Sequence, residues 1–159
     1  MLSVERPVDL IDYAGKKLGT SDWVLIDQAM IDAFAEATGD KSWFHVDPER
    51  AKREMPGGRT IAHGFLTLSL VARLSSTIYE IRQRRRGVNY GMNRLRFTAP
   101  VPAGSRVRLH ETLTAAEAIE GGVRLTMDCT IELEGEQRPA MLAEMIVLAL
   151  ERSPTRSPQ

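Results

Sequence analysis

The stretch IAHGFLTLSLVARLSSTIYEIRQRRR, residues 61–86, decides the fold. Between Phe65 and Leu74 it is apolar on nearly every side of a helical projection, which is typical of a helix buried on most of its faces. The arginines at its end would complement the negative end of a helix dipole. We therefore predict one long helix over residues 61–86, around which the rest of the chain packs.

An alternating pattern replaces the helical period after this stretch. Residues 88–100 and 105–115 each predict a strand, and residues 123–134 alternate cleanly between apolar and polar side chains. The nearly continuous apolar run at 140–150 predicts a strand in a central position or under a covered face. Helices followed by antiparallel strands predict an α+β fold, with a curved sheet wrapped around the long apolar central helix.

Two shorter helices are predicted before the central one. Asp27 suits the N-cap of a helix over residues 28–38, and Gly39 suits its C-terminal stop because glycine tolerates the left-handed conformation. The Asp-Pro pair at 47–48 predicts the start of a second helix over residues 48–54.

The composition indicates a single domain, which we place at residues 1–150, followed by a disordered tail over residues 151–159. The 159 residues are 43% hydrophobic and carry 21 basic and 21 acidic side chains, which gives no footprint for nucleic acid. No apolar run approaches the ~20 residues that cross a bilayer. The single cysteine and the lack of a secretion signal predict a cytoplasmic protein.

Two motifs carry a resemblance to a known family. FAEATGDKSWFHVDPERA (34–51) and GGRTIAHGFLTLSL (57–70) resemble the MaoC-like, (R)-specific enoyl-CoA hydratases of the hotdog fold, in particular their nodulation-protein-N-like branch. Positions that match the family pattern in identity and spacing are Gly39, Asp40, His45 and Ala51. Ser42 and Trp43 stand where most of the family has Asn and Pro, and NYGMNRLRFTAPVPAGSRVR (89–108) resembles the family's next strand.

The resemblance implies hydration of a trans-2-enoyl thioester to an (R)-3-hydroxyacyl thioester, or the reverse dehydration. It gives catalytic roles to Asp40 and His45, which would grip one water molecule. A neutral imidazole is a suitable base near neutral pH. The amide of Gly64, at the start of the buried helix, would polarise the thioester carbonyl.

A slot for the acyl chain is expected beside the buried helix. Phe65 and Leu66 would line it, Trp43 and Phe44 would close it near the reactive end, and Tyr90 could approach the ligand. We expect no metal and no cofactor apart from the coenzyme A or acyl-carrier portion of the substrate. The curved sheet would leave one face or edge uncovered, so a homodimer is expected.

Other interpretations stay open at this stage. Thioester hydrolysis directed by a carboxylate is a second enzymatic function, and a non-catalytic acyl-thioester-binding subunit is a third possibility. His63 fits a structural histidine bonded to the backbone, and Cys129 fits the core. The arginines at 82–86 fit either a solvated helix end or a contact to coenzyme A phosphates.

Overall fold

The computed structural model describes residues 1–151. The elements in chain order are β1 (Leu2–Val4), a 3-10 helix (Pro7–Tyr13), β2 (Lys16–Thr20), β3 (Val24–Ile26), α1 (Gln28–Thr38), α2 (Trp43–Val46), α3 (Pro48–Glu54), α4 (Gly64–Ser75), β4 (Tyr79–Ile81), β5 (Arg84–Phe97), β6 (Ser105–Ile119), β7 (Gly122–Leu133) and β8 (Met141–Glu151). The predicted tail begins one residue too early, because Glu151 ends β8. Residues 152–159 lie outside the described residues.

A six-stranded antiparallel sheet forms most of the molecule. Its strands follow the order β2-β6-β7-β8-β5, and β3 pairs with β6 beside β2. Helix α4 lies against this sheet, and its buried side chains share one hydrophobic core with those of the strands. The predicted α+β fold, a curved sheet around an apolar helix, is confirmed. No helix among residues 1–151 is long and apolar enough to cross a membrane.

Strand β7 has the alternation of buried and exposed side chains that its sequence predicted. Every second side chain points into the core and is at most 4% exposed; these residues are Val123, Leu125, Met127, Cys129, Ile131 and Leu133. The predicted core position of Cys129 is therefore confirmed. The apolar strand β8 lies between β7 and β5, which confirms its predicted central position.

The predicted helix over residues 61–86 is wrong beyond its first half, because α4 ends at Ser75. The hydroxyls of Ser76 and Thr77 donate to the carbonyls of Arg73 and Leu74 in the last turn of the helix, and the Leu74 carbonyl also accepts from the amide of Thr77. The following Tyr79–Ile81 segment pairs in parallel with β1. Residues 79–81 therefore form a strand that pairs with the N-terminal strand β1, and they do not continue the helix.

The arginine-rich run at 82–86 is also corrected, because from Arg84 onward it belongs to β5 and not to a helix end. Strand β5 pairs only with β8 among the described strands, so its other edge is unpaired. Its 14 residues are exposed except for Val88 and Leu95, which are half-buried. The strand therefore presents a long free edge to the surroundings.

One acidic side chain lies inside the core. Glu111, on β6, is fully buried, and both of its carboxyl oxygens accept from the Ser75 hydroxyl at 3.0–3.1 Å. Burial raises the pKa of this carboxyl from 4.5 to about 7. The charge of Glu111 in turn adds to burial in raising the pKa of Tyr79 to about 12.

The buried carboxyl should make the stability of the protein depend on pH. Between about pH 4.5 and 7 the folded protein keeps the Glu111 proton that the unfolded chain has lost, so the free energy of unfolding falls as pH rises through this window. Across this window the wild type should lose up to about 3 kcal/mol of unfolding free energy through Glu111. Glutamine does not titrate, so we expect Glu111→Gln to lack this loss. Urea unfolding of both proteins across pH 4.5–8 measures the difference.

The matched control is Glu117→Gln, which changes an exposed glutamate of the same strand. It should follow the wild-type stability at every pH. Parallel stability curves for wild type and Glu111→Gln would contradict the assignment.

Candidate active site

The carboxylate of Asp40 is held in the turn that follows α1. The N-cap of α1 is confirmed, because the side chain of Asp27 accepts from the amide of Met30 at 2.9 Å. Gly39 ends the helix in the left-handed conformation, with φ of 78°, as predicted. Asp40 comes next in the chain and is exposed. This turn delivers a solvated carboxylate to the start of α2.

Ser42 fixes the direction of that carboxylate. Its hydroxyl donates to Asp40 Oδ1 at 2.7 Å and its amide donates to the same oxygen at 3.3 Å. These two hydrogen bonds hold the pKa of the Asp40 carboxyl below its ordinary value of 3.8. The residue that departs from the common family pattern therefore orients the acid and keeps it ionised.

His45 lies on α2, a short helix that the sequence analysis did not predict, and is 7% exposed. Its Nδ1 lies 2.6 Å from the carbonyl oxygen of Ile61. A carbonyl can only accept, so Nδ1 carries the proton and Nε2 is left as the basic nitrogen. Burial lowers the pKa of His45 below 6.5, and the hydrogen bond to Ile61 opposes that shift in part.

Gln28 and Thr60 support His45 through its backbone. The side-chain amide of Gln28 donates to the carbonyl oxygen of His45 at 2.7 Å, and its oxygen accepts from the hydroxyl of Thr60. These two polar residues connect α1, α2 and the segment before α4. Sequence reasoning missed them, because nothing in their spacing links them to His45.

His63 is the main residue that sequence reasoning underrated. Its ring stacks on that of His45 with centroids 3.7 Å apart and planes 24° from parallel. Its Nε2 donates to the backbone oxygen of Asp40 at 2.9 Å, so the predicted bond to backbone is confirmed. Its Nδ1 is buried without a hydrogen-bond partner among the described residues. His63 thus contacts both members of the predicted pair.

The start of α4 forms the other side of the site. His63 occupies the N-cap position and Gly64 is the first helical residue, as the sequence predicted. The Gly64 amide is one of the donors that a helix leaves without an internal partner. A cleft of about 290 Å³ is lined by His45, Ile61, Gly64, Thr67 and Phe97, among others. The imidazole and the free end of the helix therefore face one cleft.

Glycine is required at position 64 by a close neighbour. A Cβ atom built there would lie 2.8 Å from the ring of Phe97, closer than non-bonded atoms approach. Phe97 packs edge-on against Phe65, with ring centroids 5.7 Å apart. The missing side chain therefore lets the end of β5 close over the start of α4.

The predicted aromatic residues of α2 lie beside the pair. Phe44 packs edge-on against His45 at 4.4 Å between ring centroids, and Trp43 packs against Phe44 at 5.8 Å. The guanidinium of Arg50 lies 4.2 Å from the centre of the Trp43 ring. Trp43 and Phe44 are both half-buried. Their contact with a substrate stays a prediction.

The remaining predicted substrate residues do not meet in the cleft. Leu66 is 5% exposed and belongs to the hydrophobic core, while Phe65 is 63% exposed at the surface. Tyr90 is 65% exposed on β5, and the Arg124 guanidinium lies 6.0 Å from the centre of its ring. The structure brings Asp40 next to His45 and places Gly64 in the same cleft as His45. The other three residues do not line that cleft, and their contact with a substrate stays a prediction.

The described residues include a group that could be considered for a metal ion. One ligand atom each from Asp40, His45 and His63 lie within 4.8 Å of one another. Each imidazole uses one nitrogen to bind a backbone oxygen, His45 that of Ile61 and His63 that of Asp40, and the two rings are stacked with planes 24° from parallel. The absence of a metal stays a prediction.

Comparison with known proteins identifies the relatives of this chain. The family model described as MaoC like domain matches residues 11–132. The chain is 49% identical over 148 residues to 3-hydroxyacyl-thioester dehydratase Z of Mycobacterium tuberculosis, covering 92% of this chain and 97% of that protein. It is 46% identical over 143 residues to nodulation protein N of Rhizobium leguminosarum bv. viciae, covering 88% of each.

A solved structure shows the same fold. The (R)-hydratase from A. caviae superposes with a TM-score of 0.68 at 25% sequence identity, and the match covers 84% of this chain and 94% of that one. The family model spans most of the described residues and the relatives are aligned over nearly their whole length. The chain belongs to the MaoC-like domain family.

Proposed function

We propose that this protein is a hydro-lyase that adds water to trans-2-enoyl thioesters to give (R)-3-hydroxyacyl thioesters, and that it runs the reverse dehydration. The relatives named as a dehydratase and an (R)-hydratase support this reaction. The observation that carries the proposal is the convergence of three groups. His45 and Gly64 line one cleft, and the Asp40 carboxylate lies within 4.8 Å of a His45 ring nitrogen.

The two side chains divide the work on the water molecule. The Nε2 of His45 is unprotonated and accepts a proton from water, while the Asp40 carboxylate orients the water and shares in the transfer. The water oxygen bonds to C3 as the C2–C3 double bond opens, and a proton is delivered to C2. In the reverse direction the same groups remove the C2 proton and the C3 hydroxyl leaves as water.

The start of α4 stabilises the charge that develops on the thioester oxygen. The Gly64 amide lies at the positive end of the helix and has no partner within it, so we propose that it donates to that oxygen. One such donor is typically worth about 2.7–4 kcal/mol to a transition state. Addition of water to a double bond needs no electron carrier, and we propose that no separate cofactor takes part. The coenzyme A or acyl-carrier thioester is part of the substrate.

The assignment predicts a loss of activity in variants of the pair. We expect Asp40→Asn and His45→Gln each to lower kcat by about 10²–10⁴-fold, because each removes a group that moves or holds a proton. Hydration of crotonyl-CoA, followed by chiral analysis of the 3-hydroxy product, measures this. The product should be the (R) isomer.

The matched control is Glu36→Gln, which changes an exposed acid on α1 that pairs with Lys41. It should keep wild-type turnover. Wild-type-like turnover in the Asp40 and His45 variants would refute their roles. Release of free thiol from saturated acyl-CoA without hydration of enoyl-CoA would favour a thioesterase instead.

The environment of His45 predicts the pH dependence. A base must be unprotonated to act, and burial lowers the pKa of His45 below 6.5. We expect kcat/KM to be level near neutral pH and to fall on the acid side with a midpoint below 6.5. Because the charge of His63 also lowers the pKa of His45, a His63→Asn variant should show a midpoint at higher pH. A wild-type midpoint above 6.5 would contradict the assignment.

We also propose that the protein is a cytoplasmic homodimer. We place the contact between subunits at the unpaired edge of β5. This strand carries exposed apolar side chains, which include Tyr90, Met92 and Phe97. Natural proteins cover or pair such long edges. The buried cysteine and the metabolic relatives support the cytoplasm.

If β5 forms the dimer contact, a charged side chain introduced on this strand should prevent dimerisation. We expect the wild type to sediment at twice the chain mass of 17.7 kDa, and Met92→Lys to sediment as a monomer at micromolar concentration. Ile119→Lys, which changes an exposed apolar residue at the end of β6, is the control and should remain dimeric. A dimeric Met92→Lys protein would place the contact elsewhere.

A further inference from the structure

A second cavity lies at the far end of α4 from the catalytic cleft. It has a volume of about 300 Å³ and is lined in part by Val71, Ser75, Tyr79, Glu111, Met127 and Met145. Helix α4, strand β4 and four strands of the large sheet, β5 to β8, thus contribute to its wall. No step of the proposed hydration uses any of these residues.

One face of α4 extends from the catalytic cleft to the second cavity. Gly64, Thr67, Val71 and Ser75 follow each other at spacings of three and four residues, so they lie on one face of the helix. Thr67 lines the catalytic cleft and Val71 lines the second cavity. Eleven residues at about 1.5 Å each place Ser75 about 16 Å from Gly64 along the helix axis.

That separation corresponds to a long acyl chain. An extended peptide backbone advances about 3.3–3.6 Å for every three bonds, so about 16 Å corresponds to about 13–14 chain bonds. A thioester carbonyl at the Gly64 amide therefore brings the end of a chain of about 14 carbons to the second cavity. A shorter chain ends before it.

The end of this cavity is polar where an alkyl terminus would need an apolar wall. The carboxyl of Glu111 is fully buried and has only the Ser75 hydroxyl as a close partner, with the Cys129 sulfur at 3.9 Å. A single hydroxyl proton cannot satisfy a carboxyl group, which has about four lone-pair positions. The group therefore has hydrogen-bonding capacity left over where it meets the cavity.

Nothing in the packing of the core explains a carboxyl at this place. The cationic Arg84 lines the same cavity but makes no ion pair with Glu111, and the other buried members of β6 are apolar. A buried acid without a charged partner costs stability relative to an apolar residue of the same volume. Such a group in a cavity is a candidate for ligand recognition.

We propose that the second cavity binds the far end of a long acyl chain, and that Glu111 and Ser75 recognise a hydroxyl group carried there. The preferred substrate is then a long-chain enoyl thioester oxygenated near its terminus. This rests on the proposed function, because the chain is placed by its thioester at Gly64. A hydroxyl suits the site since it both donates to and accepts from a carboxyl group.

The test compares two trans-2-enoyl-CoA substrates of about 14 carbons that differ only in a terminal hydroxyl. We expect the wild type to favour the hydroxylated chain at least about tenfold in kcat/KM, because a site built for a hydroxyl discriminates against its absence. Glu111→Leu should reverse the preference and Ser75→Ala should reduce it. The ratio is taken within one preparation, so it is insensitive to a partial loss of folded protein.

Two further variants keep the test decisive. Glu117→Gln changes an exposed glutamate of the same strand that does not line the cavity, and it should keep the wild-type preference. If Glu111→Leu does not fold, Glu111→Gln retains a hydrogen-bonding group and should keep a preference for the hydroxylated chain. Equal use of both chains by the wild type, or an unchanged ratio in Glu111→Leu, would overturn the inference.

A short substrate separates this inference from the proposed function. Crotonyl-CoA ends before the second cavity, so its hydration tests the catalytic groups alone. Hydration of crotonyl-CoA without a hydroxyl preference would overturn only the inference. If no enoyl thioester is hydrated, calorimetry with saturated acyl-CoA of both kinds tests the cavity directly: tighter binding of the hydroxylated chain supports it, and equal binding refutes it.

Discussion

The hydrogen bond from His45 Nδ1 to the carbonyl oxygen of Ile61 is the interaction on which the rest of the site depends. It fixes the tautomer of the base, and it ties α2 to the segment that leads into α4. Because Gln28 holds the backbone of His45 from the other side, the ring has little freedom to turn. A base held in this way needs no reorganisation before it accepts a proton.

The acid and the base are given opposite environments. Asp40 remains in contact with solvent and receives two hydrogen bonds from Ser42, which favour its charged form. His45 is buried, which favours its neutral form. Both groups are therefore in the protonation state that hydration requires near neutral pH, although they lie only five residues apart. His63 contacts both residues, because its ring bonds to the backbone oxygen of Asp40 and stacks on the ring of His45.

Local patterns in the sequence predicted the parts of the fold that local forces determine. Asp27 and Gly39 bound α1 through their own caps, and the alternation in β7 follows from one face being buried. The end of α4 was missed because β4 pairs with β1, a partner that no local window contains. For the same reason Asp40 and His45 were found as a short motif, whereas the stacking of His63 and the burial of Glu111 depend on contacts between distant elements.

The pairing of β1 with β4 has a consequence for the order in which the molecule folds. The side chains of Ser3 and Glu80 meet across 77 positions, whereas β6 and β7 are joined by a tight turn at Gly121. Closing the longer loop costs more chain entropy, and that cost comes before any contact offsets it. We expect the β6–β7–β8 hairpins to form early and the N-terminal strands to dock late, β1 on β4 and β2 on β6.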